Sequence, residues 1–488
     1  MVSNPPNSRP PFGPNLEEQN KPAPPPESPG ALAFLKEALS GTRRDFTEGS
    51  IPRAVVLLAV PMVLEMFMES LFGFVDMLFV SKLGAEAVAA VALTEGMMSL
   101  LFGVAVGLSM STTAMVARRV GEKNHEEAAV VAVQAIFVGL AVACVVALTG
   151  LLAAPHLLRG MGADPKVIEI GSGFTRTLMG GSASVFLLFL LNAVFRGAGD
   201  ASVAMRSLWI ANAINIVLCP TFIYGFGPIP AMGVQGSAIA TTIGRSTGVL
   251  FQLFMLTSGR GRLHVQRQHW QLKPEVMLRL VRISITGIAQ VLVSSASWIG
   301  LMRLMATFGT AALAGYMMAV RTIVVTILPA WGMANAAATL VGQNLGAKKP
   351  ERAERSVMLA GLLNMSFLGC IGLMFFFFAR PIMNLYTHDP QVMEYGMGCL
   401  RIIAFGYLFF GWGMVLVQAF NGAGDTITPT IVNICCFWLW QIPIAYVLST
   451  ILGHGPWGIF YAITIAHSTM AVTGFILFRR GKWKMVRV

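Results

Sequence analysis

Charged residues are scarce in this chain, because Asp, Glu, Lys and Arg together make up only 12% of its 488 residues. A soluble globular domain carries roughly a quarter of such residues. Hydrophobic residues instead account for 55% of the sequence. The shortage of charge argues against a soluble protein and indicates an integral membrane protein.

Cysteine and histidine are also scarce, and neither forms a metal-binding pattern. All six cysteines lie in apolar segments without a Cys-x-x-Cys spacing, and none of the seven histidines has metal-ligand spacing. Disulfides, a zinc site and other cofactors are therefore not expected. The chain also lacks a Gly-x-Ser-x-Gly nucleophile motif, so it is not expected to be an enzyme.

Apolar segments long enough to cross a bilayer, about 20 residues each, recur along the chain between short polar breaks. We predict an all-α integral membrane protein with twelve transmembrane helices. Their approximate limits are 54–80, 94–117, 128–154, 166–194, 202–226, 233–257, 276–302, 310–341, 353–379, 391–419, 428–451 and 457–478.

Short polar motifs of the first half recur in the second half at one constant spacing, which takes Phe195 to Phe420 and which we call the repeat offset. Duplicated halves are typical of many transporters, whose substrate site lies between or within the halves. The glycines and aspartates of these motifs suit helix ends, so we assign the motifs to the fold and not to chemistry. The recurring sets are Phe195-Arg196-Gly197-Ala198-Gly199-Asp200 with Phe420-Asn421-Gly422-Ala423-Gly424-Asp425; Gly121, Lys123, Glu126 and Ala128 with Gly346, Lys348, Glu351 and Ala353; and Asp164-Pro165 with Asp389-Pro390.

The duplication and the composition together predict the domain organisation. Two homologous six-helix lobes cover residues 45–257 and 276–478, and a basic linker joins them at 258–275. Residues 1–44 begin with a stretch rich in Pro, Asn and Ser and are expected to form a disordered tail, within which 31–39 could form a short amphipathic helix. Residues 479–488 are expected to form a basic tail.

Lys and Arg are concentrated in alternate polar breaks, and such clusters face the cytoplasm in membrane proteins. This bias predicts that both termini are cytoplasmic, in a multi-pass protein of the bacterial inner membrane. It also explains most of the net charge of +12, so the expected partners are membrane lipid and small organic substrates, with no nucleic acid. The main clusters are Arg118, Arg119 and Lys123; Arg260, Arg262, Arg267 and Lys273; Lys348, Lys349, Arg352 and Arg355; and Arg479, Arg480, Lys482 and Lys484.

Three acidic residues lie in the first predicted transmembrane helix. Glu69 and Asp76 follow Glu65 by 4 and 11 residues, which returns them to within about 40° and 20° of one helical face, over about 16 Å of depth. Carboxylates within a membrane are costly and usually serve ion sites or proton relays. This stripe is the candidate coupling site; the alternative is that one or two acids are paired structurally, or that Asp76 lies in the headgroup zone.

The second lobe lacks these acids. At the repeat offset, the three acids correspond to Gln290, Ser294 and Leu301. An acid needed only for assembly would be expected in both lobes. The asymmetry therefore favours a single coupling site in the first lobe.

Other polar residues of the first lobe could complete this site. Each could equally bond helices together. Arg176 is a candidate counter-charge for Glu65 or Glu69, although Arg401 occupies the equivalent place in the acid-poor lobe, which favours a structural role. The candidate polar residues are Asn192, Asn212, Asn215 and Thr241.

The chain resembles the multidrug and toxic compound extrusion (MATE) family from about residue 45 to residue 478. The resemblance implies two six-helix bundles that form a V, and cation-coupled export of organic compounds. The motifs that carry it are Asp45-Phe46-Thr47-Glu48-Gly49-Ser50-Ile51-Pro52, Val75-Asp76-Met77-Leu78-Phe79-Val80 through Gly84, Arg196-Gly197-Ala198-Gly199-Asp200 and Asn421-Gly422-Ala423-Gly424-Asp425.

The chain looks closer to the DinF-like branch of this family than to the NorM-like branch. That resemblance implies a coupling site in the first lobe, with Asp76 as its principal carboxylate. A second acid of the DinF-like pattern is replaced by Cys219, for which Glu69 or Glu65 could compensate. The positions of the NorM-like acids in the second lobe hold Ser294 and Phe410. The residues that match the DinF-like site are Asp76, Glu69, Asn192, Asn215 and Thr241.

These observations predict a monomeric secondary antiporter that exports cationic, amphipathic organic compounds in exchange for H⁺ or Na⁺, without a cofactor. The alternative is a lipid-linked precursor flippase of the same broader fold, which would present cationic residues to a central cavity. A membrane-embedded enzyme and a passive channel are disfavoured by the missing catalytic motifs and by the one-sided acids. The cationic residues that fit the flippase alternative are Arg176, Arg245, Arg303, Arg321 and Arg401.

Overall fold

The computed structural model describes residues 31–41, 44–486 and 488, without the side chains of residues 31, 32, 72–77, 81 and 85. The described chain is a succession of helices without a β-strand. The helices are α1 (Ala31–Ser40), α2 (Ile51–Val80), α3 (Ala85–Gly121), α4 (His125–Gly160), α5 (Pro165–Gly180), α6 (Ser182–Ala198), α7 (Ala201–Tyr224), α8 (Val234–Thr257), α9 (Pro274–Ala306), α10 (Thr310–Gly346), α11 (Pro350–Asn384), α12 (Pro390–Ala423), α13 (Ile427–Asn433), α14 (Ile442–Tyr446) and α15 (Pro456–Arg479).

The transmembrane spans agree with the twelve that the sequence predicts. Within the described residues, eleven helices are long and apolar enough to cross a bilayer, and α5 with α6 makes a twelfth span if this bent pair counts as one. One of the eleven is Ile427–Ile451, in which two π-helical stretches flank α14.

A bend of 41° separates α5 from α6, whereas the sequence predicts one continuous span at 166–194. The break lies at Gly180 and Gly181. A side chain on Gly181 would meet Thr242 of α8, since an added Cβ would lie 2.5 Å from its Cγ2 atom. The bend thus occurs where a glycine pair lets α5 and α8 approach each other closely.

The repeated motifs do form matching helix ends in the two lobes. Gly199 ends α6 and Gly424 ends α12, with left-handed φ values of 83° and 87°. Lys123 and Lys348, which are related by the repeat offset, are the two non-glycine residues with positive φ in the described chain, at 59° each. The duplication read from the sequence is therefore a duplication of backbone geometry.

The two lobes meet along α2 and α3 of the first lobe and α9 and α10 of the second. Glycines permit this approach. An added Cβ on Gly332 of α10 would lie 2.5 Å from the carbonyl oxygen of Met62 in α2. One buried apolar cluster accordingly contains residues of both lobes, including Leu58 and Met62 with Leu340 and Val341.

The lobes are in close contact at the end of the bundle that holds the loops 121–125 and 346–350, the linker 258–273 and the C-terminal segment 481–486. We call this the basic end. An added Cβ on Gly121 would lie 2.0 Å from the carbonyl oxygen of Gln343, and one on Gly346 would lie 2.2 Å from that of Arg118. The seam between the lobes is therefore closed at the basic end.

Segment 44–49, which precedes α2, lies across this seam. Phe46 and Thr47 are buried. Arg352 of the second lobe donates to the carbonyl oxygens of Phe46, Glu48 and Gly49, the last two at 2.8 Å. Arg262 of the linker lies over the Phe46 ring at 5.0 Å from its centroid. The segment thus connects the linker of the first lobe with the start of α11.

Helix α1 lies where the sequence allows a short helix at 31–39, and it packs against α2 and α7 at the basic end. Glu37 forms salt bridges to Arg44 at 2.6 Å and to Arg53 at 2.7 Å. Arg206 of α7 donates to the Leu39 carbonyl oxygen at 2.9 Å. Helix α1 and its contacts therefore precede residue 45, the lobe boundary expected from the sequence, and residues 1–30, 42 and 43 of the predicted tail lie outside the described residues.

Candidate functional site

A cavity of about 200 Å³ lies between the lobes, where α2, α3, α6 and α7 face α10 and α12. Several of its lining residues are related by the repeat offset, so the cavity lies on the pseudo-symmetry axis of the duplication. These pairs are Val106 with Trp331, Met110 with Asn335, Thr113 with Ala338, and Arg196 with Asn421.

Glu65 of α2 is the most deeply buried acid in the cavity wall. Its Oε1 atom lies 3.1 Å from Nη1 of Arg196, in the last turn of α6. The two side chains are 1% and 9% exposed, and Oε2 of Glu65 has no hydrogen-bond partner among the described residues. Removing one partner of a buried ion pair typically costs about 3–5 kcal/mol, so each charge depends on the other.

Glu69 lies one turn further along α2 and also lines the cavity. Its carboxylate is 3.8 Å from the guanidinium of Arg245 in α8. Arg245 is itself held over the Phe102 ring, at 5.5 Å from the centroid. Glu69 is 27% exposed whereas Glu65 is sealed, so Glu69 is the acid of this pair that water or a ligand reaches more easily.

Asn192 of α6 is the third predicted site residue that lines the cavity. Its side-chain oxygen accepts hydrogen bonds from Gln252 and Ser207. This oxygen is therefore already committed within the first lobe, and Asn192 joins the cavity wall to α7 and α8.

Asn215 and Thr241 form a second polar cluster, outside the cavity lining. Nδ2 of Asn215 donates to Oγ1 of Thr241 at 3.2 Å, and both residues are buried. The Oδ1 atom of Asn215 has no partner among the described residues. The predicted site residues thus divide into a cavity group and a pair joining α7 to α8.

Asp76 falls in the helical backbone of α2, but its side chain lies outside the described residues. Two hydrogen bonds fix the register of α2 beside α7: Asn212 donates to the Met68 carbonyl oxygen at 3.0 Å, and the Tyr224 hydroxyl donates to that of Phe79 at 2.9 Å. The two helices therefore run parallel, and the register puts the Asp76 backbone level with Pro220. It lies about one turn beyond Asn215.

The counter-charge of Glu65 is Arg196 and not Arg176, which is exposed. The sequence interpretation missed Arg196 as a site residue because a helix end was a sufficient explanation for the motif that contains it. One signal was available: this motif carries Arg196 in the first lobe but Asn421 in the second. A charge present in only one copy of a repeat is the same asymmetry that singled out the acids.

The second lobe presents neutral amides to the cavity. Nδ2 of Asn421 donates to Gln418 at 3.0 Å, and Nε2 of Gln418 donates to Oδ1 of Asn335 at 3.1 Å. Gln290, the equivalent of Glu65, is buried, and Ser294, the equivalent of Glu69, accepts from Asn433 at 3.0 Å. The charged wall therefore belongs to the first lobe.

Phe410, at the position of a NorM-like acid, packs against His467 with ring centroids 4.5 Å apart. Within the described part of the chain, no three His, Cys, Asp or Glu residues are grouped so that they could hold a metal ion.

The chain is similar to known transport and multidrug resistance proteins over most of its length. The chain is 25% identical to the probable multidrug resistance protein YoeA of Bacillus subtilis over 90% of this chain and 96% of that protein. It is 25% identical to the probable multidrug resistance protein NorM of Thermotoga maritima, over 89% of this chain and 93% of that one. It is 23% identical to the FAD transporter of Shewanella oneidensis, over 90% and 96% of the two chains.

Solved structures and a family model give the same assignment. An outward-facing multidrug resistance MATE transporter superposes with a TM-score of 0.84 at 26% identity, covering 90% of this chain and 98% of its own. The MatE family model matches residues 61–221 and 286–447, two segments whose starting points are again separated by the repeat offset. The chain therefore belongs to the MatE family of multidrug efflux transporters.

Proposed function

We propose that this protein is a secondary antiporter that exports cationic, amphipathic organic compounds in exchange for H⁺ or Na⁺. The observation that carries this proposal is the carboxylate of Glu65, which is sealed in the wall of an interlobe cavity beside Arg196. A carboxylate in such a place can hold a proton, an inorganic cation or an organic cation, but not all of them at once.

The exchange follows from competition for this charge. Arg196 holds Glu65 when the site is empty, and a cationic ligand competes with Arg196 for the carboxylate. Glu69, which is more exposed, offers a second negative charge one turn away. A proton or Na⁺ that neutralises these acids on one side of the membrane weakens the attraction for the organic cation and promotes its release.

Asp76 is assigned the role of principal coupling carboxylate, as in the DinF-like pattern. This assignment is supported by the position of the Asp76 backbone, which lies level with Pro220 and about one turn beyond Asn215. Asn215 belongs to the polar pair Asn215–Thr241. Cys219 replaces the second acid of that pattern. Glu69, about two turns before Asp76 along α2, supplies the compensating charge.

The basic end is assigned to the cytoplasm of a bacterial inner-membrane protein, because it carries the Lys and Arg clusters. With the seam closed there, the described conformation is closed towards the cytoplasm. Because both halves of the cavity come from one chain, a monomer is sufficient for transport.

The lipid-linked precursor flippase is the second candidate. Such a substrate brings phosphate and needs free cationic groups in the cavity. Arg196 is the one cationic residue that lines the cavity in the described part of the chain, and Glu65 neutralises it. The same balance of charge argues against an anionic cargo such as the flavin dinucleotide named for the Shewanella relative.

Transport in proteoliposomes with separately imposed pH and Na⁺ gradients tests the proposal. A fluorescent organic cation should accumulate under one of the two gradients and not without a gradient. A fluorescent polyprenyl phosphate lipid in the same vesicles should not change leaflets. Lipid movement without cation accumulation would establish the flippase, and cation movement without any gradient would establish a channel.

A further inference from the structure

Two oxygen atoms in the cavity wall accept no hydrogen bond from the described residues. They are Oε2 of Glu65 and Oδ1 of Asn421. Both residues are almost fully buried, with 0% and 1% of their surface exposed. Buried acceptors normally find a donor, and leaving one without a partner is costly. A ligand that enters this cavity therefore binds more tightly if it brings N–H or O–H donors for these two oxygens.

The orientation of the Asn421 amide follows from its neighbours. Gln418 donates its Nε2 to Asn335 and so offers its Oε1 to Asn421. Asn421 must then present Nδ2 to Gln418, which leaves Oδ1 without a donor. Turning the Asn421 amide alone would place two oxygens against each other. The side-chain amides of Asn335, Gln418 and Asn421 thus form a hydrogen-bonded chain, and the acceptor at its end is Oδ1 of Asn421.

The two acceptors come from opposite lobes. Glu65 belongs to α2 of the first lobe, whereas Asn421 belongs to the last turn of α12 in the second. Asn421 is also the equivalent of Arg196, the partner of Glu65. A ligand with donors for both oxygens would therefore contact both lobes and compete with Arg196 for Glu65.

We propose that the preferred substrates are protonated primary or secondary amines, and not quaternary ammonium or phosphonium ions. One N–H group satisfies Oε2 of Glu65 and a second satisfies Oδ1 of Asn421, while Met66, Phe189 and Trp331 contact the apolar body of the molecule. A quaternary cation has the same charge but no N–H group, so it leaves both oxygens without a donor. This inference rests on the proposed function and specifies its substrate class.

Two ligands that differ only in N-methylation give the direct test. An amphipathic arylalkyl primary ammonium ion and its N,N,N-trimethyl analogue are titrated into the purified full-length protein, with calorimetry or thermal shift as the readout. The primary ammonium should bind about tenfold more tightly or better, because two acceptors gain donors. Equal affinity, or tighter binding of the trimethyl analogue, would overturn the proposal.

The variant N421L removes one acceptor and should cut the preference for the primary ammonium severalfold. N364L is the matched control: Asn364 is also fully buried with Oδ1 lacking a partner, but it lies outside the cavity lining. The control should keep the wild-type preference. If N421L does not fold, Q418L, which removes the group that orients Asn421, takes its place. An unchanged preference in a folded cavity variant would contradict the assignment.

Na⁺ could also satisfy these oxygens, and the same titrations distinguish it. If Na⁺ competes with the primary ammonium in the wild type, and N421L abolishes this competition, the two oxygens hold the coupling ion and the proposal fails. The proposed function has a separate outcome. If the protein discriminates between the two ligands but neither accumulates under a pH or Na⁺ gradient, the antiporter fails and the amine site stands.

Discussion

Gly121 and Gly346 occupy equivalent places in the two halves, and each lies against the backbone of the opposite lobe. A Cβ on either would come within 2.2 Å of a carbonyl oxygen across the seam. No flexible side chain can move to relieve such a contact. These two glycines permit the closure of the basic end.

Alanine at either glycine should force the basic end open. We expect G121A and G346A to increase the distance between spin labels at His125 and Glu351, measured by double electron–electron resonance. G160A is the control, since an added Cβ there meets nothing within 4 Å. An unchanged distance in both seam variants would show that the seam does not close through these glycines.

Arg352 should hold segment 44–49 across the seam. Replacing it by Gln removes charge-assisted hydrogen bonds to three carbonyl groups, and we expect a loss of ~1–3 kcal/mol from the closed conformation. The same pair of spin labels should report a larger open population, by about fivefold or more. R355Q is the matched control, because Arg355 is exposed and makes no hydrogen bond to this segment among the described residues. Equal effects of R352Q and R355Q would mean that net charge, and not this contact, matters.

The basic end should face the cytoplasm. In a cysteine-free background, single cysteines at Lys123, His269, Lys348 and Lys484 should react with a membrane-impermeant thiol reagent in inside-out vesicles but not in intact cells. Lys82, in a break on the other side of the predicted topology, should show the opposite pattern. Labelling of Lys123 or Lys348 from outside would overturn the orientation.

Asp76 should be necessary for coupling. D76N removes the titratable charge with little change in shape, so we expect the protein to fold and bind substrate but to lose gradient-driven efflux. C219S, a near-isosteric change one helical turn from Asn215, serves as the control. If D76N at matched expression pumps as well as wild type, the principal coupling role moves to Glu69.

The transmembrane spans and the duplication could be predicted because they depend on local properties: the length of apolar runs and the recurrence of glycine and aspartate at helix ends. The bend at Gly181 was missed because a pair of glycines signals a break only when a neighbour such as Thr242 requires the space.

The ion pair of Glu65 with Arg196 could not be predicted in the same way. The two residues are far apart in the sequence, and which cation meets Glu65 depends on how α2 packs against α6. From the sequence alone, Arg176 was as good a candidate as Arg196 for the counter-charge of Glu65. The grouping of Glu65, Glu69 and Asn192 around one cavity is consistent with the sequence interpretation, whereas the role of Asp76 stays a prediction.

The charged wall of the first lobe should couple ion flow to export. Coupled efflux in proteoliposomes should be compared between the double variant E65Q/R196Q, which neutralises the pair without leaving an unpaired charge, and Q290L/N421L, which changes the equivalent positions of the second lobe. We expect E65Q/R196Q to lose gradient-driven efflux by at least about tenfold, while Q290L/N421L remains coupled to the gradient even where its substrate affinity falls. Normal coupling in E65Q/R196Q, or loss of coupling in Q290L/N421L alone, would show that the charged wall of the first lobe is not the coupling site.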